Sequence, residues 1–155
     1  MELVSFKNDD YKQLYDFMRP LWLETYSDCI PNHQILYLLD HYFNINSIDE
    51  FLKKGYKYYH IYDNVNIGVV VYYEYEDGIY LDKLYILPEF RGKGYPKAIF
   101  NLLLNIKNRI TLNVNQKNKR AVACYFKEGF KIKEEQIIDL GEGMVNIDYL
   151  LELVK

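Results

Sequence analysis

The sequence predicts one α+β domain, and three observations lead to that prediction. The chain has 155 residues, which fits a single domain of about 100–200 residues, and no linker or repeat divides it. Hydrophobic residues make up 50% and charged residues 26%, as in folded rather than disordered chains. Helical periodicity dominates residues 10–55, whereas runs of Val, Ile and Tyr dominate residues 57–86.

A short strand and a helix are expected at the start of the chain. Residues 3–6 alternate apolar and polar side chains, as a strand does. Asn8 or Asp9 can cap a helix over residues 10–24. We expect Pro20 to kink or divide this helix, because proline removes a backbone donor.

Two shorter helices are predicted next. The first covers residues 31–43, and a proline opens it. The second covers residues 47–54, where Ser47 and Glu50 have the spacing of a capping box and Gly55 ends the helix. The early part of the chain is therefore mainly helical.

The remaining two thirds of the chain predict a sheet with two further helices. A meander of three antiparallel strands is expected over residues 57–63, 67–75 and 79–86. Helices and strands then alternate, with helices over 96–107 and 118–128 and strands over 110–114, 130–135 and 146–154. A linker with two glycines is expected to join the last two strands.

The charges are divided unevenly along the chain. The net charge of −3 disfavours a nucleic-acid-binding protein. Residues 83–133, however, carry 12 Lys and Arg against 2 Asp and Glu, whereas the rest carries 7 against 20. This division favours a polyanionic ligand for the basic segment and a cationic one for the acidic remainder. The alternative is that these are scattered, solvated surface charges.

Several classes of protein are disfavoured by what the sequence lacks. The two cysteines, Cys29 and Cys124, have neither disulfide-scaffold nor zinc-site spacing. No apolar run approaches the roughly 18–20 residues of a membrane helix. The first residues have no signal-peptide pattern, so we expect a cytoplasmic protein with no membrane partner.

The most informative segment runs from a predicted strand through a glycine-bearing loop into a helix. Gly92 and Gly94 can turn backbone N–H groups toward a ligand, and Arg91, Lys93 and Lys97 add positive charge. A helix N-terminus adds further donors, so the segment suits a phosphate group. A dinucleotide loop would need a third glycine at the position of Lys97, which disfavours a nucleotide-dependent oxidoreductase.

Two motifs in this order resemble the GNAT acetyltransferase superfamily. The first, R/Q-x-x-G-x-G/A, matches Arg91 and Gly94 but has Pro96 at its last position. Proline has no backbone N–H, so it removes one donor from the loop. Because proline is favoured at the first helical position, we expect the loop to keep its shape and to bind phosphate with one hydrogen bond fewer. The second motif, N-x-x-A-x-x-x-Y-x-K-x-G-F, is matched by Asn118, Ala121, Tyr125, Lys127, Gly129 and Phe130.

The resemblance covers about residues 67–153. Its last part, from Asp139 to Tyr149, is also similar to a bacterial branch of small-molecule and polyamine-type members. The fold it implies is a mixed, mostly antiparallel sheet of about 6–7 strands flanked by helices, within a single N-acetyltransferase domain over residues 1–155.

The resemblance also implies acetyl-CoA as cosubstrate, with no metal, and an amine of a small, cationic molecule as acceptor. Backbone groups of the strand before the loop would pair with the pantetheine arm and the thioester carbonyl. The residues implied in cofactor binding are Leu84, Tyr85, Ile86, Arg91, Gly92, Lys93, Gly94, Tyr95, Pro96, Lys97, Asn118 and Lys127.

Tyr125 matches the general acid of the family. An ordinary phenol pKa near 10 is close to that of a thiol, which suits protonation of a departing thiolate. The alternative is a packed helix tyrosine, in a chain with 17 tyrosines. The general base is open: Asp82 is the first candidate, and the others are Glu74, Glu76, Asp28 and His33.

Two further questions stay open at this point. A coenzyme A-binding sensor without turnover is the alternative to an enzyme, because no decisive base is evident. A homodimer formed through a late edge strand is one alternative for the oligomeric state, by analogy of fold alone.

Overall fold

The computed structural model describes residues 1–6 and 10–155. The predicted cap at Asn8 or Asp9 lies outside the described residues. The described part contains, in chain order, β1 (Glu2–Ser5), α1 (Tyr11–Tyr26), α2 (Asn32–Tyr42), α3 (Ile45–Lys53), β2 (Lys57–Asp63), β3 (Val65–Tyr75), β4 (Gly78–Ile86), a 3-10 turn (Pro88–Phe90), α4 (Tyr95–Ile106), β5 (Arg109–Asn115), α5 (Lys119–Lys127), β6 (Lys131–Gly141) and β7 (Met144–Val154).

The seven strands form one sheet in the order β1-β2-β3-β4-β5-β7-β6. Strands β1 and β2 are antiparallel, as are β5 and β7, and β6 and β7. Strands β4 and β5 are parallel, because α4 forms a crossover between them. The prediction of a mixed, mostly antiparallel sheet flanked by helices is therefore confirmed.

Two compact units make up the chain. The first comprises Met1–Val71 and Lys83–Phe90, and it contains α1, α2 and α3. Helix α1 packs against α2, and the apolar positions of its sequence lie on the buried face. The core of this unit includes Leu14, Met18, Leu21, Ile35, Leu39, Ile48, Ile61 and Ile67.

The second unit comprises Tyr72–Asp82 and Arg91–Lys155, and it contains α4, α5 and the last three strands. Helix α4 packs on β5. The ring of Phe100 on α4 meets that of Phe130 edge to face, with ring centroids 5.0 Å apart. The core of this unit includes Ile99, Leu103, Ile110, Leu112 and Leu151.

The structure corrects two predictions in the helical region. Helix α1 continues through Pro20, so of the two expected effects, a kink or a division of the helix, the division is wrong and the kink stays a prediction. Pro20 is exposed, and the buried face of the helix holds both sides of it together. The capping-box prediction is also wrong: the cap of α3 is Asn44, whose side chain accepts the Ser47 N–H at 2.9 Å. The Ser47 hydroxyl instead donates to the carbonyl of His41 at 2.7 Å.

The predicted linker between the last two strands is also wrong. Both strands extend into it and meet at a tight turn. Gly141, Glu142 and Gly143 have φ values of +84°, +54° and +75°, which allow the chain to reverse within this short distance. The terminal hairpin is thus 11 residues long on each side. Among the described residues, no helix combines the length and apolar character needed to cross a bilayer.

Candidate functional site

The glycine-bearing loop lies in the second unit, directly before α4. Gly92 and Gly94 have φ values of +74° and +84°, a conformation that other residues rarely adopt. A Cβ atom built at either position would have nothing within 4 Å, so the space around this loop is open. Arg91 is half-buried, and the Lys93 and Lys97 side chains are exposed. These features fit a negatively charged group such as a diphosphate.

The first turn of α4 supplies backbone donors beside this loop. The first hydrogen bond of the helix runs from the Ala98 N–H to the Gly94 carbonyl at 3.2 Å. The Lys97 N–H therefore lies before the helical ladder and is available to a ligand. Pro96 is the second residue of the helix, not the first as predicted. It removes a donor from a turn in which N–H groups have no helical partner anyway.

Helix α5 holds Tyr125 against a small aromatic cluster. The Tyr125 ring lies 5.3 Å from that of Phe130 and 6.0 Å from that of Phe100, measured between centroids. Asn118 is buried and caps this helix, accepting the Ala121 N–H at 3.3 Å. Lys127 is exposed in the last turn. The packing fixes the Tyr125 ring while leaving the side chain half-buried.

Cys124, beside Tyr125, does not have the environment of a nucleophile. Burial raises the pKa of its thiol, as does the nearby Glu128 carboxylate, so the thiolate is disfavoured. Among the residues described, no cluster of potential ligands could hold a metal ion.

The predicted pantetheine strand, residues 84–86, belongs to the first unit and is locally constrained. The Tyr85 and Tyr26 hydroxyls share a hydrogen bond of 2.7 Å, and the Trp22 ring lies 6.1 Å from that of Tyr85. On the neighbouring strand, a Cβ atom at Gly68 would lie 2.3 Å from the Tyr85 carbonyl oxygen. Leu84 is half-buried and Ile86 is buried. Glycine at position 68 thus permits a close approach of β3 to this segment.

Lys83, at the start of the same segment, has an environment that the sequence did not predict. Its side chain is only 9% exposed. Its ammonium group lies 5.6, 5.4 and 5.9 Å from the ring centroids of Tyr42, Phe43 and Phe51. These are cation–π distances, so the rings stabilise the charge inside the first unit.

The candidate general bases differ in their surroundings. Asp82 is half-buried in β4 of the second unit. The pKa of Tyr73 is raised, first by burial and then by the Asp82 charge, which places the two groups close together. Tyr73 also stacks on Tyr80 with centroids 5.2 Å apart. The other candidates, Glu74, Glu76, Asp28 and His33, are all exposed.

Asp148 in β7 is a polar residue that we did not predict for the site. It is 9% exposed, and its Oδ1 atom has no hydrogen-bond partner within the described part of the chain. Burial raises the pKa of this carboxyl. An aspartate inside a predominantly apolar strand was the available signal, since such a residue is rarely buried without a partner.

The comparisons with known proteins decide the family. Residues 11–130 match the acetyltransferase (GNAT) family. The chain belongs to this family. The family prediction made from the two motifs is therefore confirmed.

Among curated GNAT relatives, the peptidyl-lysine N-acetyltransferase YjaB of Salmonella typhimurium is 38% identical over 75 residues. An uncharacterized N-acetyltransferase of Mycobacterium bovis is 40% identical over 76 residues. These matches cover 46% of this chain, and 52% and 48% of the relatives. The chain thus spans about half the length of the curated relatives it matches.

Solved GNAT structures share the fold over nearly the whole chain. The PaiA N-acetyltransferase of Thermoplasma acidophilum, in complex with coenzyme A, has a TM-score of 0.80 at 19% identity and covers 99% of this chain and 98% of that one. The spermidine N-acetyltransferase of Vibrio cholerae, in complex with CoA and spermine, has a TM-score of 0.67 at 18% identity, covering 99% and 94%. At these identities the likeness concerns the fold.

Proposed function

We propose that the chain is an acetyl-CoA-dependent N-acetyltransferase that transfers an acetyl group directly to a primary amine of a small, cationic acceptor. One observation carries this proposal: the open, cationic glycine loop at the start of α4, in a chain of the GNAT family. The names of its relatives support the reaction, and the coenzyme A complexes of its structural neighbours support the cosubstrate. We further propose that residues 1–155 act as one domain in the cytoplasm.

In this proposal the loop and the first turn of α4 bind the diphosphate of the cosubstrate. Gly92 and Gly94 allow the backbone N–H groups to face an anion, and the Lys97 N–H adds a donor at the positive end of the helix. Arg91 and Lys93 neutralise phosphate charge. Lys127 and the capped start of α5 at Asn118 would contribute to the same cofactor-binding surface.

Backbone groups at Leu84, Tyr85 and Ile86 would bind the amide-rich pantetheine arm as an added strand does. The bound cosubstrate supplies an activated acetyl thioester. An N–H group of this segment would donate to the thioester carbonyl and stabilise the developing negative charge. The hydrogen bond between Tyr85 and Tyr26 would keep the segment in place.

Two side chains would transfer protons, one as the general acid and one as the general base. The Tyr125 hydroxyl would donate a proton to the departing thiolate. Asp82 would accept a proton from the acceptor amine, directly or through water, and the other candidate bases are second to it because their side chains are exposed rather than half-buried. Cys124 would take no part, since direct transfer needs no protein nucleophile.

A thiol-release assay with acetyl-CoA and a panel of amines tests this proposal. We expect thiol release that depends on the acceptor and is greater with polyamines than with neutral or acidic amines. Tyr125→Phe should lower kcat, while Tyr149→Phe serves as the matched control, because Tyr149 is also half-buried and packs against Phe126 of the same helix. Binding of acetyl-CoA without turnover on any amine would overturn the proposal in favour of a binding module.

A further inference from the structure

One face of the sheet in the second unit carries two carboxylates, of which one is paired with cations and the other is not. Asp148 and Glu152 lie four residues apart on β7, so their side chains share a face. Glu152 receives hydrogen bonds from Arg109 and from Lys133. Burial alone would raise the pKa of Glu152, but these two cations outweigh burial and lower it. Asp148 has no cation among the described residues, and burial raises its pKa.

The side-chain amides beside Asp148 do not donate a hydrogen bond to its Oδ1 atom. Asn115 and Gln136 are the register partners of Asp148 on the two neighbouring strands. The side-chain oxygen of Asn115 accepts the Lys117 N–H at 2.9 Å. The Gln136 side chain donates to Glu134, and it accepts from Asn113. The Oδ1 atom of Asp148 is thus left without a hydrogen-bond partner in the described chain although possible donors are adjacent, as expected of a site that a ligand completes.

The same face offers polar and aromatic groups for a ligand of some length. The Tyr80 hydroxyl donates to the Asn113 side chain at 2.9 Å, which continues the polar row toward Gln136. Tyr73 stacks on Tyr80, and Asp82 is two residues further along the same strand face. A carboxylate without a cation among the residues described, on a face that also carries tyrosine rings, suits an ammonium group rather than an anion.

The position of α5 indicates which ammonium group would bind there. Tyr149 points to the opposite face of β7, and Phe126 of α5 packs on it with ring centroids 6.4 Å apart. Tyr125, the proposed general acid, therefore belongs to a helix on the other side of the sheet from Asp148. The carboxylate is better suited to hold a remote charge of the acceptor than the amine that reacts.

We propose that Asp148 determines acceptor specificity by binding a second ammonium group of a diamine or polyamine, the one that is not acetylated. This inference rests on the proposed function and specifies its acceptor. It assigns Asp148 a contact to the substrate and no proton transfer.

The test compares putrescine, a four-carbon diamine, with butylamine, a monoamine of the same length. Asp148→Asn should raise the KM for putrescine about tenfold or more, because a charge-assisted hydrogen bond is lost. The kcat for putrescine and both constants for butylamine should stay near their wild-type values. Glu152→Gln is the matched control, since Glu152 is already neutralised, and it should not change the preference for the diamine. Equal effects of Asp148→Asn on both amines, or no effect, would overturn the inference.

A measurement without turnover separates this inference from the proposed function. Calorimetric titration of the full chain with putrescine should show binding that Asp148→Asn weakens. If acetyl transfer occurs but Asp148→Asn changes neither KM nor binding, the inference fails while the function stands. If putrescine binding requires Asp148 but no acetyl transfer is found, the function fails instead. Should Asp148→Asn not fold, the carbon-13 carboxyl signal of Asp148 in the wild-type chain must respond to putrescine and not to butylamine.

Discussion

Replacing Gly68 by alanine would force two neighbouring strands apart at the predicted pantetheine segment. The new Cβ would lie 2.3 Å from the Tyr85 carbonyl oxygen, and 3.1 and 3.2 Å from the terminal methyl groups of Ile86 and Ile61. Real Cβ contacts essentially never fall below 3.0 Å. The obstacle at Tyr85 is backbone, which cannot rotate away as a side chain does.

The magnitude follows from this overlap. The strand must shift by about 0.7 Å at Tyr85, and such overpacking costs about 1–3 kcal/mol of unfolding free energy. In a chain of this size each kcal/mol lowers Tm by about 2–4 °C. A shift at Tyr85 also displaces the backbone donors proposed for acetyl-CoA. Loss of one such hydrogen bond costs about 1 kcal/mol of binding free energy, which would raise the Kd for acetyl-CoA about fivefold.

Thermal unfolding and acetyl-CoA calorimetry test both parts. Gly78→Ala is the matched control, because its Cβ would lie 2.8 Å from the Arg109 carbonyl oxygen and so disturb a different pair of strands. We expect Gly78→Ala to lower Tm without changing the affinity for acetyl-CoA. Gly68→Ala should lower Tm and also weaken the binding of acetyl-CoA. An unchanged Tm for Gly68→Ala would refute the packing argument. A lowered Tm with wild-type affinity would refute the role given to the strand at Tyr85.

Four further predictions concern the ends of helices and the two sides of the sheet. Tyr125→Phe should lower kcat about 10²-fold with little change in the Kd for acetyl-CoA, measured by steady-state kinetics and calorimetry; full turnover would contradict a proton-donor role. Pro96→Gly should keep or improve acetyl-CoA affinity, by no more than about tenfold, since it can only add a donor; a loss of affinity would contradict this. Asn44→Ala should lower the free energy of unfolding by about 1 kcal/mol in denaturant titrations, because the Ser47 N–H loses its cap, and an unchanged midpoint would argue against the cap. Because burial raises the pKa of Asp148, the folded chain holds this proton more tightly than the unfolded chain, and wild-type stability falls as pH rises through the raised pKa. Asp148→Asn should therefore have a higher Tm than wild type at neutral pH and lose that advantage below about pH 4, whereas a pH-independent difference would contradict the argument.

Features that depend on neighbours in sequence were predictable. The loop with Gly92 and Gly94 and the helix after it follow from local backbone preferences, and the spacing between motifs was enough to indicate the family. The strand meander followed in the same way from alternation and turn residues. Assignments of individual residues to binding and catalysis, such as Tyr125 and Asp82, stay predictions.

Features that depend on tertiary contacts were not predictable. The capping-box error at Ser47 is different, because the competing cap, Asn44, is only three residues away and starts the helix earlier. In the terminal hairpin, β6 and β7 extend through most of the segment that was predicted as a linker, because pairing between the two strands outweighs the weak local β-preference. The burial of Lys83 depends on rings far away in sequence, so nothing local distinguishes this lysine from a solvated one. For Asp148 the apolar strand around it was a local signal, but its lack of a partner depends on the neighbouring strands.

The ring environment of Lys83 has a consequence for a chain proposed to acetylate amines. Every exposed lysine is itself an amine that an acetyl thioester could modify, and the basic segment places Lys93, Lys97 and Lys127 on the surface. Lys83 differs, because its ammonium is enclosed by three rings and only 9% of the side chain meets solvent. In a chain with the proposed activity, this enclosure would shield the Lys83 amine from acetylation and keep its positive charge among the three rings.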